Sequence, residues 1–65
     1  MSMRKNLKAA RRAAGMTQQD VADKLGISIR YYQNIEAGDN VGSVEIWDKL
    51  EDIFSIHQRE LREIS

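Results

Sequence analysis

Glycines at positions 15, 26 and 38 divide the first part of the chain into segments that are each the length of a short helix. Glycine is favoured just past the C-terminus of a helix, because it adopts positive φ without steric cost. The chain has no proline and few β-branched runs, so each segment between glycines is expected to be helical. The glycine spacing therefore predicts an all-α fold.

The small size of the chain limits both its core and its chemistry. Its 65 residues contain no cysteine, so we expect one domain, residues 1–65, without disulfides. The only histidine, His57, cannot form a multi-histidine metal site and is expected to have a surface or capping role. No nucleophile–base pair, phosphate-binding glycine loop, signal peptide or membrane-length apolar run is visible. These features predict a cytoplasmic protein that is not an enzyme, with no cofactor, metal, membrane partner or evident small-molecule effector.

The charges balance overall but are separated along the chain. Residues 1–38 carry seven basic and three acidic side chains, a net charge of +4. Residues 39–65 carry three basic and seven acidic side chains, a net charge of −4. The basic half can face a polyanion while the molecule stays neutral, and a mixture of solvated surface charges is the alternative.

Capping signals predict two short helices in the middle of the chain. Thr17 and Asp20 have the spacing of a capping box for a helix over residues 18–25. A glycine then permits a left-handed turn, and Ser28 is expected to cap a helix over residues 29–37. The result is two helices joined by a tight turn.

Apolar periodicity predicts three further helices. The first carries a stripe of Met3, Leu7, Ala10 and Ala14, opposite Lys5, Lys8 and Arg12. After a polar loop that is expected to be flexible, Ser43 caps a fourth helix with an apolar face of Val44, Trp47, Leu50 and Phe54. Ser55 and Gln58 match the capping-box spacing for a short fifth helix. Trp47 and Tyr32 are expected to be core residues.

The third helix has two different faces when it is drawn at about 100° per residue. One face clusters Ser28, Tyr31, Tyr32 and Ile35, and the other clusters Ile29, Arg30, Gln33, Asn34 and Ala37. The second face combines a guanidinium, two amides and aliphatic groups, which suit purine edges and thymine methyls in the DNA major groove. A solvated helix surface is the alternative, but an exposed Ile29 favours a partner surface.

Residues 7–54 resemble the phage-repressor and Cro-type helix-turn-helix family, the Xre-like regulators. The matching elements are Thr17-Gln18, Ala22, Leu25-Gly26-Ile27-Ser28, Ile35-Glu36 and Gly38. The resemblance implies a compact five-helix, lambda-repressor-like domain, with the helix-turn-helix at about residues 17–38 and C-terminal helices at about 43–64. The chain departs from the family after the third helix, where Asp39-Asn40-Val41-Gly42-Ser43 replaces a usually basic loop. It also departs at Glu51, where the family often has a small apolar residue.

The resemblance implies a sequence-specific, double-stranded DNA-binding transcriptional regulator that inserts the third helix in the major groove. It places base contacts at Ile29, Arg30, Gln33 and Asn34, and phosphate contacts at Thr17, Gln18, Ser28, Tyr31 and Asn40. The alternative is a protein-interaction or antitoxin-like module with the same fold, which the acidic loop and the zero net charge favour.

A homodimer on a two-fold symmetric DNA operator is expected, because one recognition helix reads too few base pairs for useful specificity. The basic half must remain free for phosphate, so the acidic half is expected to supply the dimer surface. That surface is expected around Phe54, Ile56, Leu61 and Ile64, although these residues could equally complete the core of the monomer.

Overall fold

The chain folds into five helices, and no strand occurs among residues 3–64, the part that the computed structural model describes. The helices are α1 (Lys5–Ala13), α2 (Gln18–Leu25), α3 (Ile29–Ala37), α4 (Val44–Phe54) and α5 (Gln58–Arg62). None of them is long and apolar enough to cross a membrane. The predicted domain also includes Met1, Ser2 and Ser65, which lie outside the described residues. The all-α, five-helix prediction is confirmed.

The caps of α2 and α3 confirm the predicted bounds of the central helix pair. The side chain of Thr17 accepts the backbone N–H of Asp20 at 3.0 Å, and the Asp20 carboxylate accepts the N–H of Thr17 at 2.9 Å. These hydrogen bonds hold the pKa of Asp20 below its usual range. Gly26 has a φ of 71°, and the Ser28 hydroxyl accepts the N–H of Tyr31 at 3.1 Å. The turn between the helices is therefore closed by the residues that the sequence indicated.

The hydrophobic core lies where the five helices meet. Ala22 is fully buried in α2, where its small side chain allows α3 to pack closely. Tyr32 and Trp47 are also buried, as predicted. The remaining core residues are Leu7, Ala10, Val21, Leu25, Ile35, Ile46, Leu50 and Leu61.

Two of the predicted apolar stripes are wrong in part. Val44 is 72% exposed, and Ile46 is buried in its place, so the inner face of α4 follows Ile46, Trp47 and Leu50. Ala14 lies beyond the last residue of α1 and is exposed, whereas Arg11 is buried within the helix. In both cases the predicted stripe ran through a residue at the end of the helix, where the side chain faces solvent.

The predicted capping box of α5 is wrong. Ser55 is the left-handed C-cap of α4, with a φ of 55°, so the chain reverses there before α5 can begin. His57 is the N-cap of α5 instead, and its Nδ1 accepts the N–H of Arg59 at 3.0 Å. The carboxylate of Glu51 accepts the N–H of Gln58 at 3.0 Å. The capping role of His57 is confirmed. Glu51 stands where the family often has a small apolar residue, and here it accepts a backbone hydrogen bond from the first residue of α5.

Candidate nucleic-acid interface

The exposed face of α3 brings together most of the residues predicted to contact bases. Arg30, Gln33 and Asn34 are exposed along this face. Ile29 is half-buried and packs against the core, so its expected full exposure is wrong. Side chains at the start of a helix point back toward the preceding residues, and for Ile29 that direction leads toward the α2–α3 turn. The face therefore offers hydrogen-bonding groups more than apolar surface.

Gln33 is held by a chain of hydrogen bonds that runs from the surface into the protein interior. Its Nε2 donates to Oε1 of Gln18 at 3.1 Å, and Nε2 of Gln18 donates to Oε1 of Glu36 at 3.3 Å. Glu36 in turn accepts from Nε and Nη2 of Arg11 at 2.9 and 3.1 Å. This amide relay, formed by Gln33, Gln18, Glu36 and Arg11, links α3, α2 and α1.

The charge of Glu36 fixes the direction of the amide relay. An ionised carboxylate only accepts hydrogen bonds, so Gln18 must present an N–H to it and an oxygen to Gln33. Gln33 then donates one N–H to that oxygen. Its own Oε1 and its second N–H remain free at the surface, which leaves one acceptor and one donor side by side.

The ion pair at the base of the amide relay is shielded from solvent. The side chains of Arg11 and Glu36 are only 10% and 4% exposed. Burial raises the pKa of Glu36, but the hydrogen bonds and charge of Arg11 outweigh it and hold the pKa below its usual range. The bond to Glu36 likewise raises the pKa of Arg11. Glu36 is therefore ionised at neutral pH.

We expect the free energy of unfolding to fall as the pH drops below about 4, because Glu36 has an unfolded pKa of about 4.3 and a lower folded pKa. Its stabilisation is complete above the unfolded pKa and is lost as the pH falls through the folded pKa. Urea unfolding between pH 7 and pH 2 measures the decline. Asp20 contributes in the same direction, so Asp20→Asn serves as a comparison. If the free energy of unfolding of Glu36→Gln falls with pH as steeply as that of the wild type, the assignment to Glu36 is contradicted.

The residues predicted to contact phosphate surround the exposed face of α3. Thr17 and Ser28 are exposed, and each uses its oxygen as a cap acceptor while its O–H remains free to donate. Gln18 and Tyr31 are half-buried. Asn40 is also half-buried, and its Oδ1 accepts the N–H of Gly42 at 2.8 Å. The first four residues lie on the helix pair, whereas Asn40 mainly shapes the loop.

The loop between α3 and α4 is fixed, contrary to the expected flexibility. Arg4 is buried and donates through Nη1 to the carbonyl oxygens of Ile35 and Asn40, the latter at 2.7 Å. Its guanidinium lies 5.1 Å from the ring centroid of Trp47. Trp47 donates through Nε1 to the carbonyl of Val41 at 2.7 Å. Two buried side chains thus hold the loop, which leaves Val41 exposed on a rigid support.

The predicted dimer surface is divided between the core and the exterior. Leu61 is fully buried because α5 packs against both α1 and α4, so its assignment to a dimer surface is wrong. Phe54 and Ile56 are half-buried against the core, and Ile64 is 43% exposed. Of the four residues predicted for the dimer surface, these three can offer apolar area to a second copy.

The sequence-based predictions missed the buried charges. Arg11 lies four residues after Leu7, and Glu36 lies four residues after Tyr32, so helical spacing places both on core-facing sides. Two opposite charges at core positions were the available signal for an ion pair. Arg4 precedes α1 and had no comparable signal.

The comparisons with known proteins agree with this geometry. A family model described as helix-turn-helix matches residues 7–63. The chain is also similar to the crystal structure of the restriction-modification controller protein C.AhdI from Aeromonas hydrophila, with a TM-score of 0.76 and 30% sequence identity. That match covers 88% of this chain and 86% of the controller protein. No curated protein matches the chain. Because that family model matches most of the chain, this chain belongs to the Xre/Cro-type helix-turn-helix family of DNA-binding regulators.

Proposed function

We propose that the protein is a sequence-specific, double-stranded DNA-binding transcriptional regulator that inserts α3 in the major groove. Its family and its similarity to a controller protein support regulation through DNA rather than an enzymatic activity. The exposed α3 face supports the mode of binding, because Arg30, Gln33 and Asn34 are side chains that recognise base edges. Cytoplasmic localisation follows from this proposed function.

The amide relay is the observation that carries the proposal. A glutamine on a helix surface is normally free to rotate, but Gln33 is tied through Gln18 to the buried pair of Arg11 and Glu36. Its free acceptor and donor match N6 and N7 of adenine. A side chain that is already held in one conformation loses little conformational entropy on binding. Gln33 is therefore assigned to base readout, beside Arg30 and Asn34.

Phosphate contacts are proposed where the start of α2 and its neighbours surround the α3 face. The free backbone N–H groups at a helix N-terminus favour an anion, and Thr17 and Gln18 occupy that end of α2. Ser28, Tyr31 and Asn40 complete the proposed set. Tyr31 has its ring against the core, an arrangement that suits a hydroxyl reaching toward the DNA backbone.

A homodimer on the operator is proposed as the binding species. The largest dimension of one protomer is 26 Å, which is less than the roughly 34 Å between recognition helices on adjacent half-sites. Two protomers therefore fit side by side without a linker. Phe54, Ile56 and Ile64 are the proposed contact residues. Mass determination of the complex on a palindromic duplex tests this, and a saturated complex with one protein chain would contradict it.

An interaction or antitoxin-like module is the second candidate, and the loop after α3 favours it. Val41 and Val44 are 74% and 72% exposed, and the loop that carries Val41 lacks the basic residues that would anchor phosphate. Failure of the protein to bind any member of a random duplex pool at low salt would favour this candidate over the regulator.

We expect Gln33→Ala and Arg30→Ala each to reduce discrimination at defined base positions by about 1 to 3 kcal/mol, because each removes contacts to base edges. Selection from random duplexes followed by titration of single-base variants measures this loss. Gln19→Ala is the matched control, since Gln19 is exposed on α2 and bonds only to Asp23. Equal losses of affinity on the selected and random duplexes would instead assign the tested side chain to phosphate contact.

A further inference from the structure

The outward side of α1 carries only positive charge. Lys5, Lys8 and Arg12 lie within about 60° of one another when the helix is drawn at about 100° per residue. Together with Met3 and Ala9 they line a shallow groove of about 500 Å³. We refer to Lys5, Lys8 and Arg12 as the α1 basic face. None of the three belongs to the helix pair proposed to contact the DNA.

The α1 basic face works against the stability of its own helix. Like charges three and four positions apart destabilise a helix, and α1 contains no acidic residue to separate them. Its first turn begins with Lys5, although the positive end of the helix dipole favours an acidic residue there. The residue at the N-cap, Arg4, makes no side-chain capping bond. Arg12 is favourable in the last turn, where the negative end of the helix dipole attracts a cation, but helix formation does not explain Lys5 and Lys8.

Within residues 3–64, no carboxylate forms an ion pair with the α1 basic face. Across residues 3–64 the only ion pair is that of Arg11 and Glu36, which is buried. Lys5 and Arg12 are exposed, and Lys8 is half-buried. Uncompensated positive charges in a row are complementary to a polyanion.

The α1 basic face adjoins the end of α2 that is proposed to contact phosphate. Arg11 donates through Nη1 to the carbonyl of Met16 at 3.0 Å, in the turn that leads directly to Thr17. Lys8 and Arg12 lie about 60° and 100° from Arg11 around α1, on its exposed side. Lys8 and Arg12 therefore lie on the exposed side of α1 that is nearer to the turn before α2.

We propose that the α1 basic face binds the sugar-phosphate backbone of the same duplex, outside the half-site that α3 reads. This inference rests on the proposed function and extends it, because it assigns a surface beyond the helix-turn-helix. The eight residues from Lys5 to Arg12 span about 10 Å of helix. Measured along the axis of the duplex, about three phosphates of one DNA strand fall within that length. The contacts add affinity without adding sequence preference.

A charge-matched pair of double variants tests the proposal. Lys8→Gln/Arg12→Gln removes one lysine and one arginine from the α1 basic face. Lys49→Gln/Arg59→Gln removes the same charges from exposed positions on α4 and α5. Association constants are measured between 50 and 200 mM salt by fluorescence titration, on the selected duplex and on one extended by about 10 base pairs at each end. Circular dichroism confirms that both variants are folded.

The plot of log K against log salt has a negative slope. Loss of two phosphate contacts per protomer makes that slope shallower by about 1.8 for each bound protomer. The affinity ratio of wild type to Lys8→Gln/Arg12→Gln then shrinks about twelvefold for each bound protomer between 50 and 200 mM salt, while base discrimination is unchanged. The extended duplex should steepen the slope for the wild type and for the Lys49→Gln/Arg59→Gln control, but not for Lys8→Gln/Arg12→Gln. An unchanged slope in this variant, or an equal change in the Lys49→Gln/Arg59→Gln control, overturns the proposal while the proposed function stands. Absence of wild-type binding to any duplex rejects both.

Discussion

We expect Glu36→Leu to reduce the free energy of unfolding by about 3 to 5 kcal/mol, because it leaves the guanidinium of Arg11 buried without its counter-ion. Gln18 also loses the acceptor that holds it. A 65-residue domain has a total stability on the order of 3 to 10 kcal/mol, so the variant should be partly unfolded at room temperature. Urea unfolding followed by circular dichroism measures the loss.

Replacing both partners of the ion pair separates its structural role from its role in recognition. Arg11→Met/Glu36→Leu leaves no unpaired charge and should recover most of the stability. It should still bind DNA with poorer base discrimination, because Gln18 and Gln33 are no longer anchored. A single variant that loses less than about 1 kcal/mol, the typical effect of a point mutation, would show that the pair contributes little.

We expect Gly42→Ala to cost about 3 kcal/mol, since the added methyl group meets two unfavourable conditions at once. Gly42 has a φ of 72°, which costs about 1 to 2 kcal/mol for a residue with a Cβ. That Cβ would lie 2.8 Å from Nε1 of Trp47, and relieving such overpacking costs about 1 to 3 kcal/mol more. Chemical denaturation measures the loss, and tryptophan fluorescence should report displacement of the indole from the carbonyl of Val41.

Gly26→Ala is the matched control for the crowding at Gly42. Gly26 has nearly the same φ, 71°, but a Cβ there meets no atom within 4 Å. Its substitution should cost only the backbone strain, about 1 to 2 kcal/mol. Equal losses at the two positions would mean that Trp47 moves aside freely and that the loop is not held by its indole.

The local elements of the fold could be predicted because their causes are local. The capping box of Thr17 and Asp20 and the left-handed Gly26 depend on residues only a few positions apart, and the bounds of α2 and α3 followed from them. Ser43 caps α4 as expected, through a bond from the N–H of Ile46. A competition between two local signals was harder to judge: Ser55 could start α5 or end α4, and the left-handed turn prevailed.

The parts of the site that depend on distant residues could not be derived from periodicity. Glu36 is on the same helix as the exposed residues proposed to contact bases. Helical spacing places it on the core-facing side, but only its pairing with Arg11, 25 positions away, explains how its charge is accommodated there. Without that pair, the attachment of Gln18 and Gln33 to the interior is invisible in the sequence. Leu61 was ambiguous for a similar reason, because its burial depends on α5 packing against α1 and α4.

Arg4 joins the two ends of the described chain, which has a consequence for the order of folding. Its Nε donates to the carbonyl of Arg62 at 3.2 Å, across 58 positions of sequence, while Nη1 holds the loop at Asn40. Closing so long a loop is entropically costly, and the five residues of α5 have little stability as an isolated helix. We therefore expect α5 to dock after the earlier helices have assembled, in which case a single guanidinium couples that last step of folding to the start of α1.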